Sequence, residues 1–310
     1  MLARIGVMAF NTYRESVRAR VLHGLFALAL ATGAYSLVVG AYSLRQGLRV
    51  VSDLGSGSIS IYGIVVAIVL GATSLHRELE LKTVFPILAR PISRPQYLVG
   101  KYLGTLLTVL VFVAGNAGAL LLALSTLAGR PAWQPVAFGS CTLGAALLAA
   151  WRWPRARTAL PIPWSIVCAV GGWWLAAGAP DDRRVVASLA LLTLCEVAIV
   201  TAIANVFASF SSPFLTAVFT FGLFLVGRSA DTLAHMPARV FGPGIKLAAQ
   251  GLSRVVPNLM LYVPPRPLLT GEAVGIGLGP YLLLALAHAL AWSLGLLAAA
   301  SIIFRRRDFL

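Results

Sequence analysis

Eight apolar stretches run along the chain, at about 21–43, 59–75, 102–128, 136–151, 164–180, 185–207, 213–227 and 281–304. Within them apolar residues are nearly continuous rather than alternating, which is the mark of helices and not of barrel strands. A membrane crossing takes about 20 predominantly apolar residues, with a range of about 17–25. The first, third, sixth and eighth runs meet that length; those at 59–75, 136–151, 164–180 and 213–227 fall short of it. Backbone facing lipid has to satisfy its own hydrogen bonds, so the pattern predicts a helix bundle. The expected fold is all-α, a polytopic transmembrane bundle forming one domain over 1–310. It has six core spans plus a hairpin inserted at 129–184, eight in all.

Residues 1–20 read differently. At about 100° per residue, Arg4, Asn11, Arg14, Glu15 and Arg18 fall on one helical face. Leu2, Ile5, Ala9, Phe10, Tyr13 and Val17 fall on the other. No small-residue cleavage site closes a short apolar core, so the segment is not expected to be a signal peptide. It reads as an amphipathic helix lying in the headgroup layer.

Composition agrees: 59% of the 310 residues are hydrophobic and 11% charged, against about a quarter charged in soluble domains. The net charge of +15 would point to nucleic acid in a soluble protein. Here the basic residues sit mostly between apolar runs, so membrane lipids with anionic headgroups are the expected partner and nucleic acid is not. Cys141, Cys168 and Cys195 lie in apolar stretches without a CxxC pair, which supports neither disulfides nor a metal site.

The distribution of Lys and Arg sets the expected orientation. With eight spans and the N-terminus inside, fifteen of the 25 basic residues are cytoplasmic. These are four in 1–20, five in 76–101, then Arg152, Arg155, Arg157, Arg305, Arg306 and Arg307. Six spans, with 129–184 outside, would strand Arg152, Arg155 and Arg157. Both termini are therefore expected in the cytoplasm.

The segment 76–101 is too charged to cross. Ser93 and Gln96 fit a capping box, with Ile92 and Tyr97 at the staple positions and Pro95 in the first turn. A new helix is predicted to start there, with Lys101 snorkelling to the membrane surface. Ahead of it, Glu78, Glu80 and Lys82 form a charged stretch that ends at Pro86.

Glu80, Lys82, Thr83, Leu88, Pro91, Ile92, Ser93, Arg94, Tyr97, Gly100 and Lys101 together resemble the loop between the second and third spans of type-2 ATP-binding-cassette exporters. The nitrous-oxide-reductase maturation permease is the subtype most similar in these features. The amphipathic start resembles that family's connector helix, and Val256-Pro257-Asn258-Leu259 resembles a segment of its external loop. The resemblance covers about 1–128 and 185–310 and departs at 129–184, where two extra apolar runs stand in place of a short turn. It implies a permease subunit in the cell inner membrane, paired with a second permease copy. Glu78, Glu80, Arg90 and Arg94 would face a cytoplasmic ATPase, and re-entrant helices within 228–280 would form an external gate at Pro257 and Asn258. The chain has no GxxxxGK[ST] loop, so ATP and magnesium would be held by the separate ATPase and no cofactor by this chain.

Polar residues inside the runs are costly and usually face protein or water. Glu196, Asn116, Asn205 and His288 are the candidates. Glu196 has no basic residue in its own span, so the expectation is a protonated or neutrally hydrogen-bonded side chain that holds helices together. Glu196→Gln would then be nearly silent. His288 is expected to be a packed, satisfied histidine. An intramembrane enzyme is disfavoured, since there is no HExxH, no pair of intramembrane aspartates and only ten acidic residues. A membrane anchor or scaffold subunit is the remaining alternative to the permease.

Overall fold

The computed structural model describes residues 2–43, 46–80, 93–236, 242–272 and 275–305, with the backbone alone at 2, 75–80, 94, 243 and 305. Every regular element among them is helical: α1 (Leu2–Val17), α2 (Arg20–Tyr42), α3 (Gly47–Glu80), α4 (Arg94–Leu127), α5 (Trp133–Arg152), α6 (Pro161–Leu175), α7 (Pro180–Ala208), α8 (Pro213–Arg228), α9 (Ala230–Ala234), α10 (Pro243–Val255), α11 (Arg266–Thr270) and α12 (Leu278–Arg305), with short 3-10 turns between some of them.

A helix coincides with each of the eight apolar runs. Six are long and apolar enough to cross a membrane: Arg20–Tyr42, Gly47–Ser74, Pro95–Leu127, Trp133–Arg152, Pro180–Ala208 and Leu278–Phe304. The chain is therefore a multi-pass helical membrane protein. The run at 59–75 is the middle of a much longer helix. Ser52, Ser56 and Ser58 interrupt the apolar pattern ahead of it. Ser52 and Ser58 nevertheless return their hydroxyls to Arg49 O (2.9 Å) and Gly55 O (2.7 Å) of the same helix. At about 1.5 Å per residue, the 34 residues of α3 and of α4 each extend about 51 Å, well past a hydrocarbon core of about 30 Å. α6 and α8, with 15 and 16 residues, reach only about 23–24 Å.

α3, α4 and α7 form the centre. Two-thirds of the α7 span is buried within the chain (67%), against 6% of α5 and 17% of α2, which stay at the periphery. Val51, Val66, Val109, Val113, Leu192 and Ile199 belong to one continuous core. Gly55 lies against Leu120 and Gly63 against Val113, so α3 and α4 run antiparallel. Gly63 also meets Thr193, and Gly71 meets Ala204, so α3 and α7 run parallel.

The segment 129–184 folds as a helical hairpin. α6 crosses α4 so closely that a Cβ on Gly118 would come within 2.6 Å of the Cys168 backbone. α5 lies outside it, with Thr142 Oγ1 3.8 Å from Cys168 Sγ. Its turn meets the N-terminal helix, where Arg14 Nε donates to Thr158 Oγ1 at 3.2 Å. The face that α1 buries is rotated from the one its apolar residues mark and shares Tyr13 with it. Met8, Thr12, Tyr13 and Ser16 are buried, while Val7 and Phe10 remain exposed. Burial pushes the Tyr13 phenol up to about 12, so it stays protonated.

Candidate functional site

Three polar constellations stand out, one at each end of the bundle and one in its middle. At the α1 end, Ser93 takes an extended N-cap conformation and its amide donates to Gln96 Oε1 at 3.2 Å. The predicted helix start is therefore present. Glu78 and Glu80 lie on the last turns of α3 and Arg94 on the first of α4. Lys82, Thr83, Arg90, Pro91 and Ile92 lie outside the described residues. Tyr97 is fully buried and stacks on Phe304 of α12, ring centroids 6.2 Å apart.

Lys101 does not snorkel. Its side chain is 2% exposed, 3.7 Å from Glu15 of α1, and donates to Ser74 O of α3 at 3.2 Å. α1 covers the face of α4 that a reading of α4 alone leaves to the headgroups, so Lys101 ties three helices together. Gly100 and Gly104 make that coverage possible. A Cβ on Gly100 would meet Met8 Cβ at 2.6 Å, and one on Gly104 would strike Ala9 O and Thr12. The pair forms a small-xxx-small crossing, legible as Gly100-Lys101-Tyr102-Leu103-Gly104.

In the middle of α7, Glu196 is fully buried and has a partner that comes from another helix. Arg228 Nε donates to Glu196 Oε1 at 2.6 Å and Nη2 to Oε2 at 2.8 Å, with Ser60 Oγ 3.3 Å from Nη2. This is the fork-to-fork geometry of a guanidinium and a carboxylate. It replaces the expectation of a protonated or neutrally hydrogen-bonded glutamate with an ion pair to another helix. The shortness of α8 is the cause, since a helix that stops early carries its terminal arginine to the level of mid-α7. Phe224 lies under the guanidinium, 5.5 Å from its ring centroid. Asn116 and Asn205 are also buried. Asn116 Nδ2 donates to Phe112 O at 2.9 Å, whereas Asn205 Nδ2 has no partner among the described residues.

The column above the end of α8 is filled by the segment before α11. A Cβ on Gly227 would come within 2.9 Å of Pro257 O and of Leu259. Asn258 is exposed and structural, its Oδ1 accepting from Met260 N at 3.0 Å to start the turn Leu259–Tyr262. Tyr262 is buried; its hydroxyl donates to Ala285 O at 3.2 Å and lies 2.9 Å from His288 Nδ1. His288 is thus half-buried and held through Nδ1 by Tyr262. Burial, then nearby Cys195 and Glu196, raise the Tyr262 phenol above its ordinary value and keep it a donor.

At the far end, Arg266 joins α11 to the starts of α3 and α7. It pairs with Asp53 and Asp182 and donates to Ser52 Oγ at 3.1 Å, while Ser52 donates to Asp182 at 2.9 Å. Neither this clamp nor Arg228 follows from sequence spacing, because the partners are 84 to 214 residues apart in the clamp and 32 apart in the pair.

The fold and these constellations define a multi-pass helical membrane protein with buried polar joints. A comparison with known protein families gives no match, and neither does a comparison with curated proteins.

Proposed function

We propose that the chain is the membrane-spanning permease subunit of an ATP-binding-cassette transporter of the type-2 exporter kind. A separate cytoplasmic ATPase holds ATP and magnesium, and the permease works beside a second copy of itself or a similar permease in the cell inner membrane. This chain carries no catalysis of its own. The observation that supports the reading best is the block formed where the segment 76–101 leaves and re-enters the bundle. There α1, the first turns of α4 and the last turns of α12 are joined through Gly100 and Gly104, Lys101 with Glu15 and Ser74, and Tyr97 with Phe304. A push delivered to that segment reaches the spans only through parts that do not bend, and this block is buried and cross-tied.

The test is co-purification of the full chain with its ATPase from native membranes, with ATP hydrolysis as the readout. Arg94→Glu, which sets a repelling charge in the contact, is expected to lower retained ATPase about tenfold. Deletion of 88–95 is expected to abolish stimulated hydrolysis. Wild-type assembly and hydrolysis in both, with correctly inserted protein, would leave the scaffold reading standing instead.

Eight spans with both termini cytoplasmic belong to the same proposal. Its support is the Arg14–Thr158 contact, which sets the turn holding Arg152, Arg155 and Arg157 beside the N-terminal helix. Cysteine at position 155 is expected to react with a membrane-impermeant maleimide only after the inner face is opened. Labelling of intact cells from outside would reject this orientation. In this scheme the segment that holds buried Pro257 and exposed Asn258 forms the outer gate.

A further inference from the structure

We propose that the cavity between α2, α4 and the α5–α6 hairpin is a binding site for one anionic phospholipid, an acyl chain in the cavity and its phosphate against Arg157. The cavity encloses about 410 Å³ and is walled by Phe26, Phe112, Val111, Leu143, Leu147 and Leu160. That size and apolar lining are typical of a small-molecule site. Leu143 and Leu147 are also 49% and 62% exposed on the lipid side of α5. The cavity is therefore continuous with the surrounding hydrocarbon, which makes the bilayer itself the source of the ligand.

Three polar side chains, Arg157, His23 and Trp164, are among the residues that line the cavity. Arg157 is held by its Nε, which donates to Ala150 O at 2.9 Å. Its terminal nitrogens have no partner among the described residues. His23 is anchored in the same way through Nδ1, 3.1 Å from Ala19 O. The buried Trp164 indole N–H, on a residue that lines the cavity, has no partner either. No acidic residue lines the cavity, and the nearby Glu15 is paired with Lys101.

The turn that carries Arg157 reads Trp151-Arg152-Trp153-Pro154-Arg155-Ala156-Arg157. Trp151 and Trp153 are 76% and 60% exposed. Exposed tryptophans alternating with arginines mark the headgroup level of a bilayer, and basic pockets between helices at that level take anionic headgroups. The site depends only on the chain lying in a membrane. It stands or falls apart from the ATPase reading.

The experiment uses the full chain in mild detergent, mixed with dioleoylphosphatidylglycerol or dioleoylphosphatidylcholine, with retained lipid counted by native mass spectrometry. The glycerol lipid is expected to be retained about fivefold more than the choline lipid, the factor set by one basic residue at the headgroup. Arg157→Gln, on an exposed turn that tolerates change, is expected to remove that preference. Ala146→Phe fills the cavity and is expected to remove retention, while Leu148→Phe, on the outward face of α5, leaves it intact. Equal retention of the two lipids, or wild-type retention in both Arg157→Gln and Ala146→Phe, overturns the proposal. So does full displacement by excess inorganic phosphate, which would make this a headgroup site without a chain.

Discussion

Arg228→Leu is expected to lower the stability of the bundle by about 3–5 kcal/mol, because it strands a buried carboxylate. Glu196 is fully buried in mid-α7, and both its oxygens are taken by one guanidinium. The reverse change, Glu196→Leu, is expected to cost less. The Arg228 side chain is 25% exposed where Glu196 is fully buried, so the charge left behind is the less deeply enclosed of the two. Glu196→Gln is expected to cost about 1.5–3 kcal/mol, since an amide NH₂ would then face the guanidinium where an oxygen now accepts. The double change to leucine is expected to return close to wild type, because both buried charges leave together. Denaturant titration of the four variants in detergent measures this as a cycle. A loss below about 1 kcal/mol for Arg228→Leu, or no recovery in the double variant, would mean the pair contributes little to the fold.

The helices were legible in the sequence because lipid leaves few options. Continuous apolar runs had to become helices, and each of the eight did. The beginning of α3 was not legible, since Ser52, Asp53, Ser56 and Ser58 break the apolar pattern there. The polarity of Ser52, Asp53 and Ser58 is absorbed by carbonyls of the same helix and by Arg266, a residue more than 200 positions away, while the buried Ser56 hydroxyl has no partner among the described residues. Glu196 announced itself by its cost in hydrocarbon, but its partner did not. Arg228 closes an apolar helix and reads alone as an interfacial anchor; only the packing of the short α8 on α7 brings it inside. Lys101 misled for the opposite reason. A lysine one turn into a span normally reaches water, and here α1 lies across it. Of the eleven residues that carry the resemblance, Lys82, Thr83, Leu88, Pro91 and Ile92 lie outside the described residues.

The crossing of α1 over α4 is where a single added side chain should do most harm to the proposed transmission block. Gly104→Leu is expected to destabilise that crossing by about 3 kcal/mol, the upper part of the usual range for overpacking. The contact leaves no room to yield. A Cβ at Gly104 alone strikes the Ala9 carbonyl oxygen and comes within 2.5 Å of Thr12 Cβ, and the first of these is backbone that cannot rotate away. Relief requires α1 to lift as a unit, which also pulls Glu15 from Lys101 and unpacks Met8 from Gly100. The main core of α3, α4 and α7 is distinct from the smaller cluster in which Met8 packs with Tyr97, Leu98 and Phe304, so the centre of the bundle keeps its own contacts. The expected result is a protein that still inserts and purifies but whose α1 amides lose hydrogen-exchange protection, while those of α7 keep theirs. Gly6→Leu, which has open space around its Cβ, serves as the matched control. Equal protection of α1 in the Gly104 variant and the wild type would show that the crossing can repack, and that α1 is not the stiff joint this geometry makes it.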